Sequence, residues 1–478
     1  MKLNLKHLLD QQIDVYDLVK KIGRVADQHD LPAFLVGGFV RDLLINKKNK
    51  DIDVVVVGDG LRFADQVSKD LKAYPVVKFE DFGTAMIPLQ NMELEIVSAR
   101  KEVYRRDSRN PKVQFTDLDE DLKRRDFTIN TMAISINDAT FGELIDPFKG
   151  IADLKNELII TPLDPKETFF EDPLRMLRAI RFASQLGFSI DENTFQAIKN
   201  YARRIDIISR ERIRDEFLKI LMSDQPSYGL NLIYSSGLMD ILFPEITALK
   251  GVDDQDGYRH KDVYLHTLKV LDNVAEMNGS QTLRIAALYH DIAKPRTKRF
   301  IKGIGWTFHG HEDLGARMFE TFGRELRLSV KDIKRIKKLI RLHLRPIAVA
   351  KEDVTDSAIR RLIVEAGEDI NALLTLCRAD ITSKNRDRVK QYLSNFELVE
   401  KRISEVEEKD ALRAFQSPFD GKEIMDMFNL EPGPAVGKIK HYIEEAILEG
   451  EIENTHEAAS GFVEKNKEKL IDLFLINH

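Results

Sequence analysis

Apolar positions change their period twice along this chain. Over residues 1–30, Leu8, Leu9, Ile13, Val15, Leu18, Val19, Ile22 and Val25 recur at helical spacing and predict a helix. Short runs rich in β-branched residues follow. "PAFLVGG" predicts a strand ending in a turn, "FVRDLLIN" a short helix and "DIDVVVVG" a second strand. "VVKFEDFGTAMIPL" and "MELEIVSAR" read as two further strands joined by "QN", and "AISIN" with "ELIDP" as another hairpin. Residues 101–123 are charged and poor in apolar side chains, so a mobile loop is expected there. From about residue 165 strand signals vanish and amphipathic helices take over. The pattern predicts an α+β protein, a small mixed-sheet head followed by an all-α body.

Stretches at 161–173, 251–262 and 416–426 mark candidate boundaries. They divide the chain into a head at 1–160, a helical neck at 161–250, a third unit at 251–400 and a helical C-terminal region at 401–478. A length of 478 residues agrees, because it exceeds what one hydrophobic core supports. Hydrophobic content of 43% and charged content of 32% suit a soluble globular protein. The longest apolar runs, such as "VVVV" at 54–57, are far too short to span a membrane. The N-terminus lacks the continuous apolar stretch of a secretion signal. Cys377 is the one cysteine and excludes an intrachain disulfide. A cytoplasmic protein, monomeric or homodimeric, is expected.

The net charge of −6 does not suggest a nucleic-acid binder as a whole. Locally the balance reverses. Basic residues outnumber acidic ones between Arg175 and Lys219, and "KDIKRIKKLIRLHLR" (331–345) is strongly basic. These are either solvated helix faces or places where a polyanion is held.

The candidate chemistry starts at Asp51 and Asp53. Residues i and i+2 of a strand share a face and lie about 7 Å apart, so the two carboxylates aim the same way. Like charges that close are costly unless a cation sits between them. Magnesium suits the pair, since it takes one or two carboxylates plus phosphate oxygens. Glu95, with Glu93 two residues earlier on its face, is the candidate third acid on a neighbouring strand. Alternatively, the Asp pair only marks a strand edge. Gly37 and Gly38 would let the backbone approach a ligand closely, and the amides of the following helix would point at it.

Together these residues carry a family resemblance. "LVGGFVRD…DID" resembles the first motif of the class II tRNA nucleotidyltransferases, which join CCA-adding enzymes with bacterial poly(A) polymerases in the polymerase β superfamily. "RRDFTINTMA" (124–133), "DPFKGIADL" (146–154), "EDPLRMLRAIRFA" (171–183) and "ERIRDEF" (211–217) resemble the later motifs in order. Thr131 departs from the alanine usual there. The resemblance implies a polymerase-β-like head with Asp51, Asp53 and Glu95 as catalytic acids holding Mg2+. It implies a nucleotide-binding set of Gly37, Gly38, Arg41, Asp42, Arg124, Arg125, Asp126, Asn130, Glu171, Asp172, Arg175, Arg178 and Arg212. The partners implied are tRNA, CTP and ATP, with no membrane.

The fourth motif also has a reading of its own. Asp172 and Arg175 are three apart and would share one helix face. A carboxylate accepts hydrogen bonds and a guanidinium donates them in a fixed fork. Cytosine and adenine each present an exocyclic amine beside a ring-nitrogen acceptor, so the pair fits them and misfits uracil and guanine. The rival reading is an ordinary helix salt bridge.

Eleven histidines are present, several of them on apolar helices. Unpaired buried polar groups are costly, so such a set calls for partners. The order H…HD…H…H…D resembles the HD phosphohydrolase superfamily. That resemblance implies His266, His290, Asp291 and Asp380 as a core metal set, with His311 and His343 adding a second position. His309 is the rival for His311. A divalent transition metal (Ni, Mn, Co or Fe) and metal-dependent phosphohydrolase activity are implied. A vestigial domain kept for packing or tRNA contact is the alternative.

The chain is therefore expected to add or repair the CCA 3′ end of tRNA without a template. A poly(A) polymerase, or an enzyme adding only CC or A, is the near rival. A metal phosphohydrolase whose head merely binds nucleotide is the distant one.

Overall fold

The computed structural model describes residues 3–73, 75–89, 92–105, 108–251, 254–255, 258–259, 262–349, 355–382, 385–410 and 418–474. It divides into two units, Met1–Pro244 and Glu245–His478. The first opens with helices α1 (Lys6–Asp10) and α2 (Ile13–Gln28). The single predicted helix is thus two, separated at Gln11 and Gln12. The apolar stripe of α2 is buried at Leu18, Val19, Ile22 and Val25. Gly23 lets α2 sit directly on the chain after the sheet, because a Cβ there would meet the Ile136 carbonyl oxygen at 2.0 Å.

Next come β1 (Ala33–Val36), α3 (Gly38–Leu44), β2 (Asp51–Val56) and α4 (Gly60–Leu71). They are followed by β3 (Val77–Phe79), β4 (Thr84–Pro88), β5 (Glu93–Ser98), β6 (Arg100–Arg105), β7 (Ser108–Phe115), α5 (Leu118–Lys123), β8 (Ala133–Ser135) and β9 (Leu144–Ile145). The seven-stranded sheet runs β3-β4-β5-β2-β1-β8-β9. Within it β2 and β5 are parallel, in the register Asp51 to Glu93, Asp53 to Glu95 and Val54 to Ile96. The other neighbours pair antiparallel. Ile52, Val54, Leu94 and Ile96 are fully or almost fully buried, so the opposite face of the pleat carries the acids.

Three expectations are corrected here. The stretch read as one strand from Val76 is two, β3 and β4, broken by a single 3-10 turn at Glu80–Phe82 and by Gly83 at φ +57. Residues 101–123 are not a loop: β6 and β7 form an antiparallel hairpin and α5 follows, capped by the Asp117 carboxylate. Charge hid the hairpin, since a stretch so rich in charged residues carries little apolar alternation. Strands also persist beyond residue 165, as short pairs such as Leu158–Ile159 with Ser189–Ile190 and Arg299–Ile301 with Gly305–Thr307.

After α6 (Gly150–Lys155) the neck begins with α7 (Pro165–Glu171) and α8 (Leu174–Leu186). Asp172 is extended at φ −131 and ψ 98, so Asp172 and Arg175 do not share one helix as expected. Pro173 explains the break: the residue before a proline is pushed out of the helical region.

The second unit is largely helical. Helices Val263–Glu276, Gln281–Tyr289, His311–Glu325, Val330–Leu342 and Ile370–Asp380 pack on one another. Beyond the helix Arg386–Asp410, a small core gathers Phe419, Ile424, Ile439, Ile443, Val463 and Leu470. No helix among the described residues is long and apolar enough to cross a membrane.

Candidate functional site

Every head and neck residue predicted from sequence lines one cleft of about 1720 Å3 in the first unit. Asp53 on β2 and Glu95 on β5 are register partners, while Asp51 and Glu93 pair nearer the strand mouth and are exposed. Burial, and after it the Glu95 charge, pushes the Asp53 carboxyl up to about 6, although Arg125 pulls the other way. Burial raises Glu95 as well. The nearby guanidiniums therefore leave these acids short of positive charge, and an all-oxygen donor set of this kind fits a hard divalent cation.

Gly37 turns the chain between β1 and α3 at φ +69, a conformation that favours glycine. A Cβ at Gly37 would stand 3.1 Å from Arg125 Nη1 and 3.3 Å from Asp53 Oδ2. A side chain at residue 37 would therefore crowd the arginine and the acid as well as straining the backbone.

Behind the turn, Arg41 donates to Asp42 Oδ1 at 2.7 and 2.9 Å and to Asn130 Oδ1 at 2.9 Å, and Asn49 donates to Asp42 Oδ2 at 2.8 Å. Asp126 accepts from Asn130 at 3.0 Å and from Arg178 Nε at 2.8 Å. Burial works against its charge, but Arg178, the Asn130 hydrogen bond and Arg175 together hold the carboxyl down at about 2. Arg41, Arg178 and Arg181 all lie over the Phe182 ring, with centroid distances of 5.1, 5.5 and 4.2 Å.

Asp172 accepts from the Leu174 amide at 3.1 Å through one oxygen and from Arg212 at 3.0 Å through the other. Arg175 donates to the Arg124 carbonyl at 2.6 Å and lies 3.7 Å from Glu171. The break at Pro173 thus leaves Asp172 and Arg175 lining the same cleft from two helices.

Sequence reasoning missed Asp121. This fully buried carboxylate accepts from Arg124 at 2.6 Å and from Arg125 at 3.0 Å, and from the Arg100 amide at 3.2 Å. It orients both arginines of the second motif. The signal was available, since Asp121 precedes them by three and four residues, but it carries meaning only if 118–123 is a helix.

The second unit holds a different constellation. His266, His290 and Asp380 form one group able to hold a metal, and Asp291, His311 and His343 another. His266 Nε2 lies 2.9 Å from Asp380, and His290 and His311 Nε2 lie 3.2 and 3.3 Å from Asp291. Nδ1 of His290, His311 and His343 faces a backbone carbonyl at 2.8, 2.7 and 2.6 Å. A carbonyl only accepts, so each Nδ1 carries a proton and each ring turns its Nε2 inward, where a bound metal would take the place of a second proton. His290 Nε2 and Asp291 Oδ1 are buried without a hydrogen-bond partner. The orphaned atoms and mixed imidazole–carboxylate donors fit a transition metal. His309 is exposed and lies outside both groups, so of the two rivals it is His311 that joins them. Lys294, also missed, donates to Asp291 at 2.6 Å.

The basic stretch at 331–345 is largely engaged within its own unit. Lys337 pairs with Glu320, and Arg335 and Lys338 pair with Asp369 at 2.6 and 2.7 Å.

Three family models match the chain: the poly A polymerase head domain over residues 33–160, the "probable RNA and SrmB-binding site of polymerase A" over 187–250, and the HD domain over 263–384. The A-adding tRNA nucleotidyltransferase of Deinococcus radiodurans is 31% identical over 359 residues, covering 73% of this chain and 79% of that protein. The CCA-adding enzyme of Enterococcus faecalis is 28% identical over 444 residues, covering 91% and 93%. A longer A-adding tRNA nucleotidyltransferase, from Geobacter sulfurreducens, is 34% identical over 276 residues, which are 57% of this chain and 29% of that protein. The fold is shared with the Bacillus stearothermophilus CCA-adding enzyme in complex with CTP, at a TM-score of 0.67 and 22% identity over 96% of this chain and 99% of that one.

Proposed function

The chain belongs to the tRNA nucleotidyltransferase family, and from that premise we propose that it builds or repairs the 3′-terminal CCA of tRNA, using CTP and ATP and no nucleic-acid template. One observation carries the reading: Asp53 and Glu95 are register partners on adjacent strands, short of positive charge, beside a glycine turn with a positive φ. Asp51, Asp53 and Glu95 would hold Mg2+, which when bound lowers the barrier by steadying charge on the entering and leaving oxygens.

The chain's own groups would do the rest. Gly37 and Gly38 would let the triphosphate lie against the backbone, and Arg125 would pair with it. Asp126 and Asn130 stand within reach of a ribose hydroxyl, and Arg41 and Arg178 fix them in place. The 3′-hydroxyl of the primer would attack the α-phosphorus in line, a new phosphodiester bond forming as the bond to pyrophosphate breaks. Asp172 and Arg175 would read the base edge. Each Asp172 oxygen holds one donor and keeps a lone pair for the amine of cytosine or adenine. Addition of the terminal A alone is the second reading, favoured by the A-adding relatives.

For the second unit we propose metal-dependent hydrolysis of a phosphoester, supported by six inward-facing ligands and the orphaned His290 Nε2. A transition metal (Ni, Mn, Co or Fe) would supply an activated water when bound. His266, His290, Asp291, His311, His343 and Asp380 would hold it.

The deciding experiment incubates the protein with tRNA lacking its end and with tRNA ending in CC, giving CTP and ATP separately and together. Extension by three nucleotides is expected. Growth only on a tRNA already ending in CC establishes single-A addition. Long A tails establish the polymerase rival, and no incorporation sinks the proposal.

A further inference from the structure

We propose that Phe82 and Phe115, set around Arg100 at one rim of the cleft, form a stacking platform for the single-stranded 3′ end of the RNA primer. The proposal rests on the nucleotidyltransferase reading for the identity of that strand. Two large aromatic side chains are left in solvent here, Phe82 at 46% and Phe115 at 64% exposure. They are not scattered. Arg100 and Phe115 are cross-strand partners in the β6–β7 ribbon. Arg100 donates to the Phe82 carbonyl, and to the Thr84 hydroxyl at 3.2 Å. Gly83 sits under the Phe115 ring, for a Cβ there would stand 3.0 Å from Phe115 Cε1. The patch is thus braced from behind. The Arg100 amide donates to the buried Asp121, and Arg124 Nε donates to the Arg100 carbonyl at 2.7 Å.

Strand order says which reactant meets this patch. The glycine turn follows β1, Asp53 lies on β2, Glu95 on β5, and Phe82 precedes β4, in the sheet order β1-β2-β5-β4 read across. In-line displacement puts the attacking oxygen and the leaving pyrophosphate on opposite sides of phosphorus. With the triphosphate at Gly37, the primer's hydroxyl arrives across the acids, from the β5 and β4 side. That is where Phe82 and Arg100 line the cleft, with Lys101 and Arg124 beside them. Aromatic faces among cationic groups are what a single strand needs, since every base has a π-face and every linkage a negative charge.

The test uses an RNA hairpin primer whose last base is 2-aminopurine, with wild type, Phe115→Ala, Phe82→Ala/Phe115→Ala and Phe115→Trp. Binding to the wild type should quench the probe. The alanine variants should lose the quench and raise the KM for primer by about tenfold, leaving the KM for nucleotide unchanged. Phe115→Trp should restore both. Both rings are exposed, so the variants should fold, and a circular dichroism melt within a few degrees of wild type checks it. A double alanine variant that still quenches, or whose primer KM stays within twofold of wild type, overturns the platform. If the wild type adds no nucleotide but quenches in a Phe115-dependent way, the platform stands and the nucleotidyltransferase reading falls. If it adds nucleotides and the quench ignores both rings, the reverse holds.

Discussion

The two candidate metal sites solve one problem by opposite means. In the head, acids from adjacent strands stand at the wall of an open cleft; burial raises both Asp53 and Glu95, and the Glu95 charge raises Asp53 further. In the second unit, buried imidazoles and carboxylates converge from separate helices, and His290 pulls Asp291 well below the usual carboxylate range despite burial. The head is thus unfinished without a cation and open to a large ligand. The histidine site is largely charge-matched by its own side chains and enclosed. Sheets suit the first because adjacent strands put rigid, repeating positions side by side. Helices suit the second because several can aim one residue each at a common point.

The sharpest way to break this comparison is to disable one site at a time. Asp53→Asn should cut nucleotide incorporation by roughly a thousandfold or more and leave phosphoester hydrolysis intact. His290→Ala with Asp291→Ala should do the reverse, abolishing hydrolysis supported by Ni, Mn, Co or Mg. Paired assays of both activities read the outcome, and parallel losses in both would end the view of two separate centres.

The middle-sized test concerns what steadies the open site. Asp121→Ala removes the one carboxylate shared by Arg124 and Arg125. It should cost about 3 kcal/mol in chemical denaturation, because two guanidiniums lose a buried partner. The KM for nucleotide should rise as Arg125 swings free.

The smallest effect is a pH dependence with a fixed sign. Asp126 is held down at about 2 in the folded chain, below its ordinary value near 4, because Arg178, Asn130 and Arg175 together overcome its burial. Its stabilisation is full above about pH 4 and is lost as pH falls to about 2, amounting to about 2 kcal/mol. Asp126→Asn should flatten that limb of the stability profile, and a wild-type limb left unchanged by the substitution contradicts the assignment.

Much of the head was legible from sequence for a simple reason. β1, α3 and β2 are contiguous and apolar, and their chemistry sits at fixed short offsets: two glycines in a turn, two acids on one strand face. Glu95 was found because its own strand alternates cleanly. The β6–β7 ribbon and α5 were not legible, because their sequence is dominated by charge and lacks the apolar alternation of a core strand. Asp121 was lost with them. The break between Asp172 and Arg175 was legible in principle from Pro173, but motif spacing was read as helical throughout. In the histidine site, the ligands were spread from His266 to Asp380, and only the order of residue types tied them together. Choosing His311 over His309 required knowing that the helix begins at His311.

The register between β2 and β5 has one last implication. Sliding β5 by a single residue would swing Glu95 to the far side and at the same time thrust Leu94 and Ile96 into water. Misalignment of the acids is therefore not a subtle defect that a well-folded population could harbour. Molecules carrying it would be unstable before they were inactive, so the hydrophobic interior acts as quality control on the chemistry outside it.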